Sequence, residues 1–170
     1  MKSIDPLLAF IRQHESRNNY ACIWSGIKKS DYPSKPLTQM TVREVLDWQH
    51  RIDHQYRSEA AGAYQIMEDT LRELMDSAAA HELRLSVTDP FDAMEQDKLA
   101  TLLLRKRGLS IYAAGWNLSA ERFCFNLAKE WSSLPLVSGP RKGHGYYDGD
   151  GLNKSNADPD EFLKIVRDLR

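Results

Sequence analysis

A chain of 170 residues with a formal net charge of −1 has material for one folded domain, 1–170, and no overall field to gather polyanions, so nucleic acid is not an expected partner. No apolar run reaches membrane-spanning length, which removes membrane insertion from the expectations. The two cysteines, Cys22 and Cys124, form neither a disulfide framework nor a metal-ligand spacing, and Cys124 reads as an inert core thiol.

The opening run, Ile4 to Tyr20, is amphipathic. Asp5-Pro6 starts a helix, and Leu7, Leu8, Phe10 and Ile11 recur at three- and four-residue spacing on one face. Glu15, one turn beyond Ile11, leans toward that apolar side in the last turn, before Ser16-Arg17-Asn18-Asn19 ends the helix. A carboxyl so placed must find partners or keep its proton, because ionisation away from water is costly. A retained proton is what a general acid needs. The plainer alternative is a Glu that caps a local turn or meets a surface Arg.

From Tyr20 to Pro36, alternation at Tyr20, Cys22 and Trp24 is broken by Ser25-Gly26, Pro33 and Pro36, which predicts a small hairpin or an extended loop. Thr41-Val-Arg-Glu44 is a capping box opening a second helix that carries Val42, Val45, Leu46 and Trp48. Residues 53–63 read as a loop, followed by a helix from Glu68 or Asp69 to about Ala80. Asp89-Pro90 reads as an N-cap and first helical position of a central helix running through Leu99 to Leu103, with Gly108 as its stop. Ser110 starts a short helix, Ser119 caps one that buries Phe123, Leu127 and Trp131, and Asp158-Pro159 starts the last. Between them Pro135 to Asn156 is a glycine-rich loop of a length that is generally functional or disordered. The expected class is mostly α (α+β), a helical domain with a small irregular β lobe.

The segment Ser58-Glu-Ala-Ala-Gly-Ala-Tyr-Gln-Ile-Met67 places small residues before Tyr64 and Gln65, a flat ring and a two-way hydrogen-bonding amide. That pairing suits a sugar, whose CH faces stack on rings and whose hydroxyls match amides. Core packing is the other reading of Tyr64. A Glu ending the first helix, a short irregular stretch and then Ala61-Gly-Ala-Tyr-Gln-Ile66 together resemble the lysozyme-like muramidases of bacteriophages, in particular the lambda-type endolysins, which are peptidoglycan lytic transglycosylases. Thr41 to Gln49, Phe91 to Gly108 with its Glu95-Gln96-Asp97 turn, and Trp131-Ser-Ser-Leu-Pro135 before a Gly/Tyr loop resemble that family's helices in the same order. Ala63 stands where the family often has Arg.

The resemblance implies a lysozyme-like fold and cleavage of the β-1,4 bond between N-acetylmuramic acid and N-acetylglucosamine. Glu15 matches the catalytic acid, Tyr64 and Gln65 a cleft-lining pair, and Tyr146 or Tyr147 a cleft tyrosine of the late loop. Glycosidases ordinarily need two carboxyl groups. The other large phage lysozyme class carries an Asp nine residues after its Glu and a Thr six beyond that, where this chain has Trp24 and Ser30. Asp31, Asp53 and Glu59 are not favoured by spacing as substitutes. A transglycosylase, which the resemblance describes as using one carboxyl as acid and then base, is therefore expected over a hydrolytic lysozyme. A peptidoglycan-binding virion module without chemistry is the reading from another class, motivated by Ala63.

No cofactor or metal is expected. His50 and His54 sit one helical turn apart without a third ligand, and Asp148-Gly-Asp150-Gly-Leu-Asn153 lacks a calcium loop's spacing. The partner is the bacterial peptidoglycan glycan strand, met by a monomer. The first residues, interrupted by Asp5-Pro6, do not form a standard signal peptide, so the expectation is synthesis in a host cytoplasm and access to the periplasmic wall through a holin or inside a phage particle.

Overall fold

The computed structural model describes residues 2–170, and the chain is mostly helical, as expected. The helices are α1 (Asp5–Ser16), α2 (Val42–Ile52), α3 (Glu68–Met75), α4 (Ala78–Glu82), α5 (Ala93–Lys106), α6 (Leu109–Ala113), α7 (Ala120–Ala128) and α8 (Pro159–Arg167). Short 3-10 turns lie at Lys29–Asp31, Leu37–Gln39 and Asp53–Gln55. The chain forms two compact units, one from the first 17 residues together with Leu103–Arg170, the other from Asn18–Leu102.

In the first unit α8 packs on α1 and on α7. Leu7 and Ile11 are fully buried on α1, and Phe10 stacks on Phe162 of α8 with ring centroids 5.6 Å apart and planes 5° from parallel. On the other side of α8, Tyr112 stacks on Phe123 at 5.0 Å and donates its hydroxyl to the Val166 carbonyl. Each such aromatic contributes about 1.5–3 kcal/mol by leaving water, which is what holds helices of nine to twelve residues that would be marginal alone. The expected caps form: Ser119 accepts from Arg122 N–H, and Asp158 accepts from Asp160 and Glu161 N–H ahead of Pro159. Cys124 is fully buried on α7, and burial pushes its thiol up to about 12, so it is inert. Helix α1 ends where Arg17 turns left-handed (φ 56°) and returns its N–H to the Arg12 and Gln13 carbonyls, which leaves Glu15 in the last turn.

In the second unit the capping box closes in full: Glu44 N–H donates to Thr41 Oγ1, and Thr41 N–H donates back to Glu44 Oε2. Three expectations are corrected. The long third helix is two pieces, because Ser77 donates its hydroxyl to the Leu74 carbonyl and caps a new start through Ala80 N–H. Asp89-Pro90 does not open α5. Pro90 bridges Thr41, Phe91 N–H donates to the Met40 carbonyl, and Asp92 becomes the cap by accepting from Glu95 N–H at 2.9 Å. The β element reduces to isolated bridges, Ile23 with Ala61 and Ala61 with Ile66, and no continuous strand forms among the described residues. Gly26, Pro33 and Pro36 leave too short an uninterrupted run to extend the pairing.

Candidate functional site

In the first unit the site is built around Glu15. Its nearest partner is 118 residues away in sequence: Ser133 donates its hydroxyl to Glu15 Oε1 at 2.6 Å and its backbone N–H to the same oxygen at 3.1 Å. Oε2 has no hydrogen-bond partner among the described residues. Burial pushes the Glu15 carboxyl above its ordinary value, and the Ser133 hydroxyl and N–H, which favour the anion, offset part of that rise. The outcome is a carboxyl that keeps its proton to a higher pH than a surface Glu, with one oxygen fixed in place and the other without a hydrogen-bond partner among the described residues.

Ser133 is held by the turn after α7. Trp131 is buried and its N–H continues the helical ladder to Leu127, Leu134 N–H turns back to the Trp131 carbonyl, and Ser133 itself is only 4% exposed. Asn156 clamps this turn to the end of α1. Its N–H donates to the Ser133 carbonyl, its Nδ2 donates to the His14 carbonyl at 3.1 Å, and its Oδ1 faces His14 Nδ1 at 2.8 Å. Since the amide nitrogen is committed to a carbonyl, the oxygen faces the imidazole, and Nδ1 of His14 carries the proton in that contact. The alternative of a Glu meeting a surface Arg is not what the fold builds.

The late loop is tied to the same segment. Pro135 bridges Gly145, Leu136 N–H donates to the His144 carbonyl, and Gly143 N–H donates to the Leu136 carbonyl. Tyr146 and Tyr147 follow directly, with rings edge-on at 4.9 Å. Tyr146 is half-buried edge-on to Phe125, with the Lys129 ammonium 5.4 Å from its ring centre. Tyr147 is 40% exposed and donates its hydroxyl to the Lys129 carbonyl. The two aromatics expected from the sequence thus stand together on one short segment.

In the second unit Tyr64 and Gln65 differ from the expected presentation. Tyr64 is 1% exposed and its hydroxyl donates to Asp97 Oδ1 at 2.6 Å, the oxygen that also accepts the Tyr20 hydroxyl at 2.8 Å. Its ring is therefore core, and no face of it is offered to a ligand. Gln65 is half-buried in the left-handed region (φ 49°), with Nε2 donating to the Gly62 carbonyl. That leaves its side-chain carbonyl and the second hydrogen of Nε2 without a partner among the described residues. The turn they occupy is fixed by Gln96, which is fully buried: Oε1 accepts from Ala63 N–H, and Nε2 donates to the Tyr20 and Phe91 carbonyls. Gly62 is obligatory there, since φ is +79° and a Cβ would lie 2.3 Å from Gln96 Oε1. Ser133, Asn156, Gln96 and Asp97 carry no motif of their own. Three of them lie in the segments that resemble the phage muramidases, the one signal that pointed toward them.

The remaining signals have structural partners. His50 faces Glu68 and His54 faces Asp53, so the two rings do not converge. Asp150 closes an Asx turn on the N–H groups of Leu152 and Asn153. No group of three or more His, Cys, Asp or Glu side chains among the described residues could hold a metal ion. No described helix is long and apolar enough to cross a membrane.

No curated protein and no solved structure matches the chain. The family model for endolysins, however, matches residues 9–150, a span that runs from α1 with Glu15 through Ser133 to the Tyr146–Tyr147 segment. The chain belongs to the endolysin family and is a phage enzyme that degrades bacterial peptidoglycan.

Proposed function

We propose that the chain is a lytic transglycosylase that cuts the β-1,4 bond between N-acetylmuramic acid and N-acetylglucosamine, with Glu15 as acid and then base. The observation that carries this reading is the Glu15–Ser133 pair: a carboxyl pushed up by burial, held through Oε1, with Oε2 unpartnered. Protonated Glu15 gives its hydrogen to the glycosidic oxygen as the bond to the muramic acid C1 breaks, and the departing N-acetylglucosamine leaves as a neutral alcohol. The resulting carboxylate takes the proton of the muramic acid 6-hydroxyl while O6 bonds to C1. No water is consumed and Glu15 ends as it began. The Ser133 donors stabilise the anion between the two transfers.

The one-carboxyl route is favoured by the state of the other candidates. Asp31 accepts the Tyr56 hydroxyl at 2.5 Å, Asp53 faces His54, and Glu59 is 5% exposed and accepts the Glu68 N–H at the start of α3. Asp31 and Glu59 are thus engaged in holding the second unit, and Asp53 lies at the surface beside its sequence neighbour. Tyr146, Tyr147 and Gln65 are the groups we assign to binding glycan, and Tyr64 serves by fixing the turn that carries Gln65. Access to the wall is by a holin or within a phage particle.

Digestion of purified murein decides the chemistry by mass. Product ends lighter by one water are expected, and hydrated reducing ends would overturn the transglycosylase route. Glu15→Gln keeps shape but has no transferable proton, so lysis should fall by roughly 10²-fold or more with the fold intact. A Glu15→Gln protein that still lyses cells would remove Glu15 from the reaction.

A further inference from the structure

The second unit lacks an open ring at Tyr64, yet it holds one beside the same segment. The backbone of Cys22-Ile23-Trp24 runs antiparallel to Ala60-Ala61-Gly62: Ile23 bridges Ala61, and Gly62 N–H donates to the Cys22 carbonyl at 2.8 Å. Trp24 opens a tight turn, closed by Ile27 N–H on its carbonyl, and its indole folds over Gly26. A Cβ on Gly26 would stand 2.1 Å from both the Cη2 and Cζ3 atoms of the ring. The ring thus lies against the backbone of Gly26, where no side chain intervenes, and the residue is half-buried.

Its indole N–H has no hydrogen-bond partner among the described residues. Trp48 shows the contrast: it is 4% exposed and its Nε1 donates to the Asp31 carbonyl, so it is a structural indole. A half-buried indole seated beside a glycine, with an open donor, has the chemistry of a saccharide platform, since a pyranose offers CH hydrogens to the ring and hydroxyl or N-acetyl oxygens to the N–H. Tyr32, also exposed, has no glycine beneath it to hold it and no backbone pairing to the Gly62–Gln65 turn.

We propose that Trp24 is a glycan-binding residue of this enzyme, its indole stacking on an N-acetylhexosamine of the murein strand. The inference rests on the peptidoglycan-cleaving reading and extends it to a residue that sequence spacing offered only as the place of a missing Asp. It concerns binding and not proton transfer, so the Michaelis constant should move and the turnover number should not.

Two variants test it by different means. Trp24→Ala removes the ring. Gly26→Ala keeps it but drives it off its seat, at little conformational cost because Gly26 is not in the left-handed region. Both should raise KM on soluble murein strands about five- to ten-fold with kcat within about two-fold, in line with the 1 kcal/mol scale of an aromatic contact. Titration with a chito-oligosaccharide of N-acetylglucosamine should change the intrinsic fluorescence of the wild type and of Trp116→Phe, and not that of Trp24→Phe. Unchanged KM in both variants, or a fluorescence response that survives Trp24→Phe, would overturn the platform while leaving Glu15 in its role. An inert wild type would overturn the Glu15 reading instead, and the titration would still decide for or against Trp24.

Discussion

Both donors of Ser133, the hydroxyl at 2.6 Å and the backbone N–H at 3.1 Å, converge on a single oxygen of Glu15. The arrangement sets two opposing influences on one proton. Burial favours the neutral acid needed to start the reaction, and the paired donors favour the anion needed to finish it. It also fixes the rotation of the carboxyl group, because only Oε1 is tied.

Ser133→Ala should therefore act on the pH profile as well as on the rate. With the hydroxyl gone, burial is less opposed and the proton is held to higher pH, so the alkaline limb of activity moves upward. The maximal rate should fall roughly ten-fold or more, the scale of one hydrogen bond to a charged group. Initial lysis rates measured across pH, with circular dichroism to confirm folding, check both parts. A lower rate with an unmoved limb would mean that Ser133 supports only the loop.

Asn156 acts one step further out, through the carbonyl and ring of His14 and the carbonyl of Ser133. Asn156→Ala keeps the backbone N–H bond to Ser133 and loses both side-chain contacts, which are near the surface and worth about 0.5–1.5 kcal/mol each at most. The melting temperature should drop by only a few degrees while kcat falls about three- to ten-fold, since the angle between α1 and the Ser133 turn is no longer fixed. Asn156→Asp, which retains an acceptor for His14, should recover part of the loss. Equal loss in both variants would point to the Nδ2 bond alone.

What the residues revealed by themselves was local. The Thr41–Glu44 box, the Ser119 cap and Asp158-Pro159 formed as read, because each is decided within four residues. The position of Glu15 in the last turn of α1 followed from helical periodicity alone. Three-dimensional pairing was not legible. Asp89-Pro90 has the chemistry of a helix start, and lost that role because Pro90 and Phe91 pair with Met40 and Thr41, some fifty residues earlier. The segment around Tyr64 suits either a presented ring or core packing, and a distant residue decides for the core, since Asp97 accepts the hydroxyl. Ser133 as the partner of Glu15 has no local signature, since serine beside a turn is common and only the fold brings it to the acid.

The buried carboxyls make a prediction about stability against pH. Glu59 (5% exposed) and Glu95 (3% exposed) are both pushed up by burial first, with Lys98 partly offsetting the rise at Glu95. The folded state then holds more protons than the unfolded chain above 4.5, the ordinary Glu value, and stability declines as pH rises through the raised folded values. Glu44, Glu121 and Asp148 are shifted down, by the Thr41 N–H first in the case of Glu44, and their contribution is lost as pH falls below the ordinary carboxylate range. Urea midpoints should therefore peak at mildly acidic pH and be lower once pH has passed the raised carboxyl values. Glu95→Gln should flatten the descending side. A midpoint that keeps rising to pH 8 would contradict the sign.

Gln96 offers the most severe test of how the second unit is held. Its amide satisfies three main-chain groups in a site without water access, Ala63 N–H and the carbonyls of Tyr20 and Phe91. Gln96→Leu is close in volume, so no large cavity forms and the penalty is that of orphaned polar groups, each worth about 1–3 kcal/mol. A loss of roughly 3 kcal/mol or more in denaturant unfolding is expected. Gly62→Ala reaches the same contact from the other side, by pushing a Cβ at Gln96 Oε1 and demanding an alanine at φ +79°. The double variant should be less destabilised than the sum of the two, because leucine has no amide oxygen for the new methyl to strike. Additive losses would show that the strain at position 62 comes from the backbone conformation alone, with Gln96 acting only as a hydrogen-bond donor and acceptor.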